Sequence, residues 1–243
     1  MKKTKFTALL LCATLILSGC ASMNNTTKGG LIGGGSGTAL GTLIGGAVSG
    51  KKDKTKGRLI GAAIGAVVGT GTGVLIGNKM DKAAQAAAAI EGAEVEQITD
   101  NNGLQAVKVT FDSGILFGTG AATLSSSAKA SLSKFANNVL KPNTDMDVNI
   151  YGYTDNQGWK NSTAEQSYQK NLNLSQERAQ SVSTYLMACG VTGKQIKVVE
   201  GLGEANPVAD NSTAAGRQEN RRVEVYMYAS AEMIQQAEAG TLR

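Results

Sequence analysis

The stretch "MDVNIYGYTDNQG", Met146 to Gly158, sets the reading of this 243-residue chain. Val148 and Ile150 alternate with polar neighbours, the period of a strand with one buried face. The strand runs into a turn that carries a carboxylate, Asp155. The chain contains no histidine, so the carboxylate has no imidazole to orient.

The elements around this strand extend the pattern. "LQAVKVTF" (104–111) alternates and is rich in β-branched residues, as a strand is. "LSSSAKASLSKFANNVL" (124–140) places Leu124, Ala128, Leu132, Phe135 and Val139 at helical spacing, with serines available as N-caps. In "NLNLSQERAQSVSTYLMACG" (171–190), Leu174, Arg178, Val182, Tyr185 and Leu186 share a helical period, and Gly190 stands as a C′ cap. "IKVVEGLG" (196–203) and "RRVEVYMY" (221–228) complete a βαβαββ order. In the last strand, Val223, Val225 and Met227 form the buried face, and alternation turns Arg222 outward. The expected class is α+β, with one core over residues 103–229. A tail, 230–243, follows as a surface helix or an unstructured end.

The first hundred residues differ in character. Lys2, Lys3 and Lys5 precede an apolar run, Phe6 to Leu17, too short to span a bilayer comfortably. The segment 1–19 therefore reads as a signal peptide, ending in "LSGC". This ending resembles a bacterial lipobox, with Cys20 as the acylated residue. Several acyl chains would anchor the N-terminus stably, and residues 20–28 then form a lipidated tether. Ala21 resembles the sorting signal for the outer membrane. Cys189 is the one remaining thiol of the mature chain, so no intramolecular disulfide can form.

Residues 29–77 hold 17 of the 31 glycines. Gly29, Gly33, Gly37, Gly41 and Gly45 recur every four residues. Gly57, Gly61, Gly65, Gly69, Gly73 and Gly77 repeat the pattern after a basic break. A four-residue period lines one helical face, which lets another helix approach to backbone contact in lipid. Gly29–Gly50 and Leu59–Gly77 are each long enough to cross roughly 30 Å of hydrocarbon. The expectation is a helical hairpin in the bilayer that can also drive a homo-oligomer; a flexible Gly-rich linker is the alternative. Residues 78–102 read as an Ala-rich helical linker.

Charge separates by region: +3 in the first 20 residues, +3 over 21–99 and −1 over 100–243. The globular part is not basic, so nucleic acid is not an expected partner. With no nucleophile–base constellation and no ligand set for zinc, neither an enzyme nor a cofactor or metal is expected.

The ordered motifs "GYTDNQG", "NLNLSQERAQ" and "GLGEANPVADNSTAAGRQENRRVEV" resemble the OmpA-like peptidoglycan-binding domain, across roughly residues 107–228. With the lipobox and the zipper, the whole resembles the YiaD type of outer-membrane lipoprotein facing the periplasm. The resemblance implies an α+β fold and noncovalent binding of the peptide stem of peptidoglycan, chiefly its diaminopimelate. Asp155 would accept from the ligand ammonium, and Arg178 would take its carboxylate through a planar fork. A structural Asp–Arg salt bridge is the alternative. Asn171, Thr154, Gly152, Asn220 and Arg222 are further candidates by motif. A structural envelope protein that oligomerises through its zipper, with incidental wall contact, is the competing function. Two features depart from the family: Tyr153 stands where many members have histidine, and the connection after Gly158, which includes Trp159, is long.

Overall fold

A computed structural model describes residues 70–99 and 105–242. The signal peptide, the lipidated cysteine and most of the glycine comb lie outside the described residues. Five strands form one sheet: β1 (Ala93–Thr99), β2 (Gln105–Asp112), β3 (Met146–Gly152), β4 (Ile196–Gly201) and β5 (Arg222–Ala229). Their spatial order is β1-β2-β5-β3-β4, and only the β3–β4 pair is parallel. A parallel pair needs a long crossover. Helix α4 (Ala164–Ala188) supplies most of it.

The main core lies on one sheet face. Val107, Val109 and Phe111 of β2, Val148 and Ile150 of β3, and Val223, Val225 and Met227 of β5 are buried there. They meet α1 (Thr70–Ala88), α3 (Ser126–Phe135), α4 and α6 (Ala231–Glu238). The four strands read from alternation are all present. So is α3, capped by Ser125, whose hydroxyl accepts from the Ala128 amide at 3.0 Å. Its last turn widens into a π-helix over Ala136–Leu140. Gly190 has φ +96°, the left-handed conformation that ends α4.

One expectation needs correction here. Residues 78–102 are not one helical linker: α1 ends at Ala88 and β1 follows as an edge strand. The tail takes the first of its two readings, a surface helix, α6, whose inner face puts Met233, Ile234 and Ala237 into the core and packs on α1. The long connection after Gly158 is largely helix. Thr163 caps α4 with a reciprocal capping box to Gln166, eight residues before Asn171.

Helix α1 also bears on the membrane reading. Ile76, Met80, Ala83, Ala84 and Ala87 form a buried stripe at helical spacing, and Lys79 pairs with Asp145. Residues 70–77, the last eight of the expected second span, thus belong to a helix docked on the globular part. Among the described residues, no helix is long and apolar enough to cross a membrane.

Candidate functional site

The site lies where α4 crosses the ends of β3 and β4. The strands come so close there that only glycine fits. A β-carbon on Gly152 would lie 2.1 Å from the Ser175 carbonyl oxygen, and one on Gly201 would lie 2.1 Å from the Gln176 amide nitrogen. The two glycines are register partners. The buried Ser175 hydroxyl accepts from the Gly203 amide at 2.9 Å and donates to the Leu172 carbonyl at 2.7 Å. This joint fixes the α4 face that carries Asn171, Leu174 and Arg178, spaced three and four residues apart.

These three residues line a cavity of about 440 Å³. The opposite walls are the segment from Ser113 to Gly120 and the turn from Thr154 to Lys160; Gln218 and Arg221 also face in. The first wall begins with the short helix α2 (Ser113–Leu116). Gln218 and Arg221 belong to the end of α5 (Ala214–Asn220) and its C-cap.

Asp155 is buried and takes two contacts. One carboxylate oxygen accepts from the Gln157 amide at 3.0 Å, closing an Asx-type turn. The other is ion-paired with Arg221. Arg221 also donates to Gln218, which in turn donates to Asp112 at 2.6 and 2.7 Å. The direct partner of Asp155 is therefore Arg221, not Arg178.

Arg178 is 3 % exposed. Its Nε donates to the Ala121 carbonyl at 3.1 Å, and its guanidinium lies 5.2 Å from the Phe117 ring centroid. Its Nη1 is buried with no hydrogen-bond partner. Burial pushes the Arg178 guanidinium below its usual pKa; Arg221 pushes the same way, and Asp155 opposes. An unsatisfied buried cation is costly unless an anion completes it. The Thr154 hydroxyl, on the same cavity, is likewise buried without a partner.

Asn171 lines the cavity, yet its amide is committed to the protein. Its Oδ1 accepts from Trp159 Nε1 at 2.7 Å. Its Nδ2 donates to the Gln157 carbonyl at 3.1 Å and to Glu204 at 2.9 Å, with the Asp155 carbonyl at 3.4 Å. It positions the turn more than it offers a free group.

Three candidates fall elsewhere. Gly152 sits beneath α4, as described above. The Asn220 side chain ties down the loop at Val208, Ala209 and Asn211 through four hydrogen bonds of 2.7 to 3.0 Å. Arg222 is not exposed: it is 4 % accessible, pairs with Glu224 at 2.8 Å and lies 3.8 Å from the Tyr153 ring centroid. The second face of β5 is itself buried, so alternation did not turn Arg222 to solvent. Its neighbour Arg221, the C-cap of α5, was passed over for Arg222 because both were read as part of the strand. The signal was present in "STAAGRQEN", where Thr213 accepts from the Gly216 amide at 3.0 Å as an N-cap.

Comparison with known proteins fits this geometry. Residues 116–221 match the OmpA family. Residues 1–81 match the YMGG-like Gly-zipper family. The "probable lipoprotein YiaD" of Escherichia coli is 37 % identical over 134 residues, 55 % of this chain and 54 % of that protein. The outer-membrane lipoprotein YfiB of Pseudomonas aeruginosa is 39 % identical, covering 46 % of this chain and 61 % of that one. The peptidoglycan-binding protein ArfA of Mycobacterium tuberculosis is 43 % identical, covering 46 % and 31 %. The chain thus spans about a third to three-fifths of these relatives' lengths. A MotB-like protein from Desulfovibrio vulgaris shares the fold, with TM-score 0.53 and 22 % identity over 63 % of this chain and 93 % of that one. The domain that carries the OmpA match is mixed α+β with an open sheet.

Proposed function

We propose that this chain is a lipid-anchored outer-membrane protein whose periplasm-facing OmpA domain holds the cell wall by noncovalent binding of the peptidoglycan stem peptide. The observation that carries the reading is the buried, unpartnered Nη1 of Arg178 on the same cavity as the Asp155 carboxylate. A diaminopimelate end presents an ammonium and a carboxylate together, and it complements such a pair. Arg178 takes the carboxylate, and the Thr154 hydroxyl is placed to donate to it. Asp155, already neutralised by Arg221, accepts from the ammonium with its remaining lone pairs. The relatives named for lipoprotein character and for peptidoglycan binding support the same role. Acylation of Cys20 supplies the membrane end.

Two measurements test this. Purified protein should co-sediment with isolated sacculi and be released by free diaminopimelate. Retention unaffected by diaminopimelate would remove the stem-peptide assignment. Cys20→Ser should lose incorporation of labelled palmitate and leave the membrane fraction. Continued labelling would place the anchor elsewhere.

A further inference from the structure

The cavity is longer than a single amino-acid end requires. At about 440 Å³ it falls within the range of pockets that enclose drug-sized ligands, roughly 300–1,000 Å³. Its floor along α4 runs from Asn171 past Leu174 to Arg178. Seven residues of helix are about 10 Å. The charged groups Asp155, Arg178 and Arg221 account for part of that length. Beside Asn171 the cavity is lined by Trp159, which bonds Asn171 and reaches Gly120, with Lys160 next to it in the chain.

Trp159 is held there from three directions. Its backbone amide donates to Ser167 Oγ at 3.0 Å, and its indole Nε1 donates to Asn171 at 2.7 Å. Its six-membered ring reaches the opposite wall, with Cη2 3.6 Å from the point where a β-carbon of Gly120 would sit. Lys170 lies over the ring, 5.8 Å from its centroid. The indole is thus a rigid wall joining the two sides of the cavity. A fixed aromatic face in a half-buried cleft contributes contact area at little entropic cost. Lys160, exposed at the rim, adds a cation beside it.

We infer that Trp159 and Lys160 form a second subsite, which takes the stem residue joined to the diaminopimelate: its aliphatic part against the indole, its free carboxylate toward Lys160. The inference rests on the proposed function, and Trp159 is its specificity-determining residue. Stem fragments of two or more residues bind tighter than the free diamino acid for this reason.

The chain has one tryptophan, so its fluorescence reports on this subsite alone. The full chain in detergent is titrated with free diaminopimelate and with the tripeptide L-alanyl-γ-D-glutamyl-diaminopimelate. Both ligands should displace sacculi. The tripeptide should change the intensity and peak position of Trp159 emission, and diaminopimelate should leave both nearly unchanged. Trp159→Ala should weaken the tripeptide about tenfold, an anchor-residue effect, and the free diamino acid less than about twofold. Trp159→Phe should recover most of the difference. Tripeptide binding that saturates without changing the emission would overturn the inference. Equal weakening of both ligands by Trp159→Ala would also overturn it, because the residue would then act only by positioning the Asp155 turn. If neither ligand binds the wild-type chain, the stem-peptide reading itself fails, and the subsite fails with it.

Discussion

Arg178→Ala should lower retention on sacculi at least about tenfold and leave the melting temperature at or above that of the wild type. The two results belong together. The Arg178 guanidinium is buried with Nη1 unpartnered, so its removal relieves an unfavourable burial as well as deleting the Ala121 and Phe117 contacts. In the proposed complex the same group makes charge-assisted hydrogen bonds, each contributing about 1.5–3 kcal/mol. Losing one predicts at least about a tenfold drop in affinity. Asp155→Ala should lose binding to a similar degree, since the ligand ammonium is left unpaired. The double variant should be little worse than either single one, because both act on the same bound residue. Arg221→Ala should cost less than Arg178→Ala. Arg221 already has Asp155 and Gln218 as partners, and it gains less from an incoming anion. The competing view is that Asp155 and Arg221 form a structural bridge and nothing more. It requires Asp155→Ala to lower the melting temperature while sacculus binding stays near wild type. Melting and co-sedimentation on the same preparations separate the two.

What the sequence made legible follows from how each element signals itself. Strands β2, β3 and β5 show their alternation because one face meets the main core. Helix α3 shows its period because Ala128, Leu132 and Phe135 are all buried. Strand β1 was hidden: it is an edge strand following an alanine run, and Val95 and Ile98 are its only large apolar residues. The first two turns of α4 are polar, "AEQSYQK", so no apolar period marked them. The Thr163–Gln166 capping box was the available signal. Asp155 and Arg178 were readable through their motifs, but their pairing was not. Which arginine reaches Asp155 depends on α5 ending at Asn220, which sets Arg221 toward the cavity and Arg222 toward Tyr153. A rule of alternating faces assumes that one face is solvated. On β5, where Arg222 and Glu224 pair in the interior, that assumption does not hold.

Gly152→Ala should destabilise the domain more than Arg178→Ala does. The added methyl would lie 2.1 Å from the carbonyl oxygen of Ser175. The obstacle is helix backbone, so no side-chain rotation can relieve it. Either α4 moves away from β3 or the strand bends. Overpacking of this kind costs about 1–3 kcal/mol, occasionally more. For a domain of this size that corresponds to a melting temperature lower by roughly 5–10 °C. Gly201→Ala should behave alike, because its β-carbon would lie 2.1 Å from the Gln176 amide nitrogen. Gly158→Ala is the control. It also lines the cavity, but a β-carbon there meets only Ser167 Oγ at an ordinary 3.6 Å. That variant should melt within about 2 °C of wild type, as substitutions free of steric conflict do. Binding follows from the same geometry. Leu174 and Arg178 ride on the part of α4 that Gly152 admits, so Gly152→Ala should weaken sacculus retention along with stability, whereas Arg178→Ala weakens retention alone. Loss of binding by Gly152→Ala at an unchanged melting temperature would return Gly152 to the ligand-contacting residues. A wild-type melt with wild-type binding would mean that the close approach of β3 to α4 does not exist.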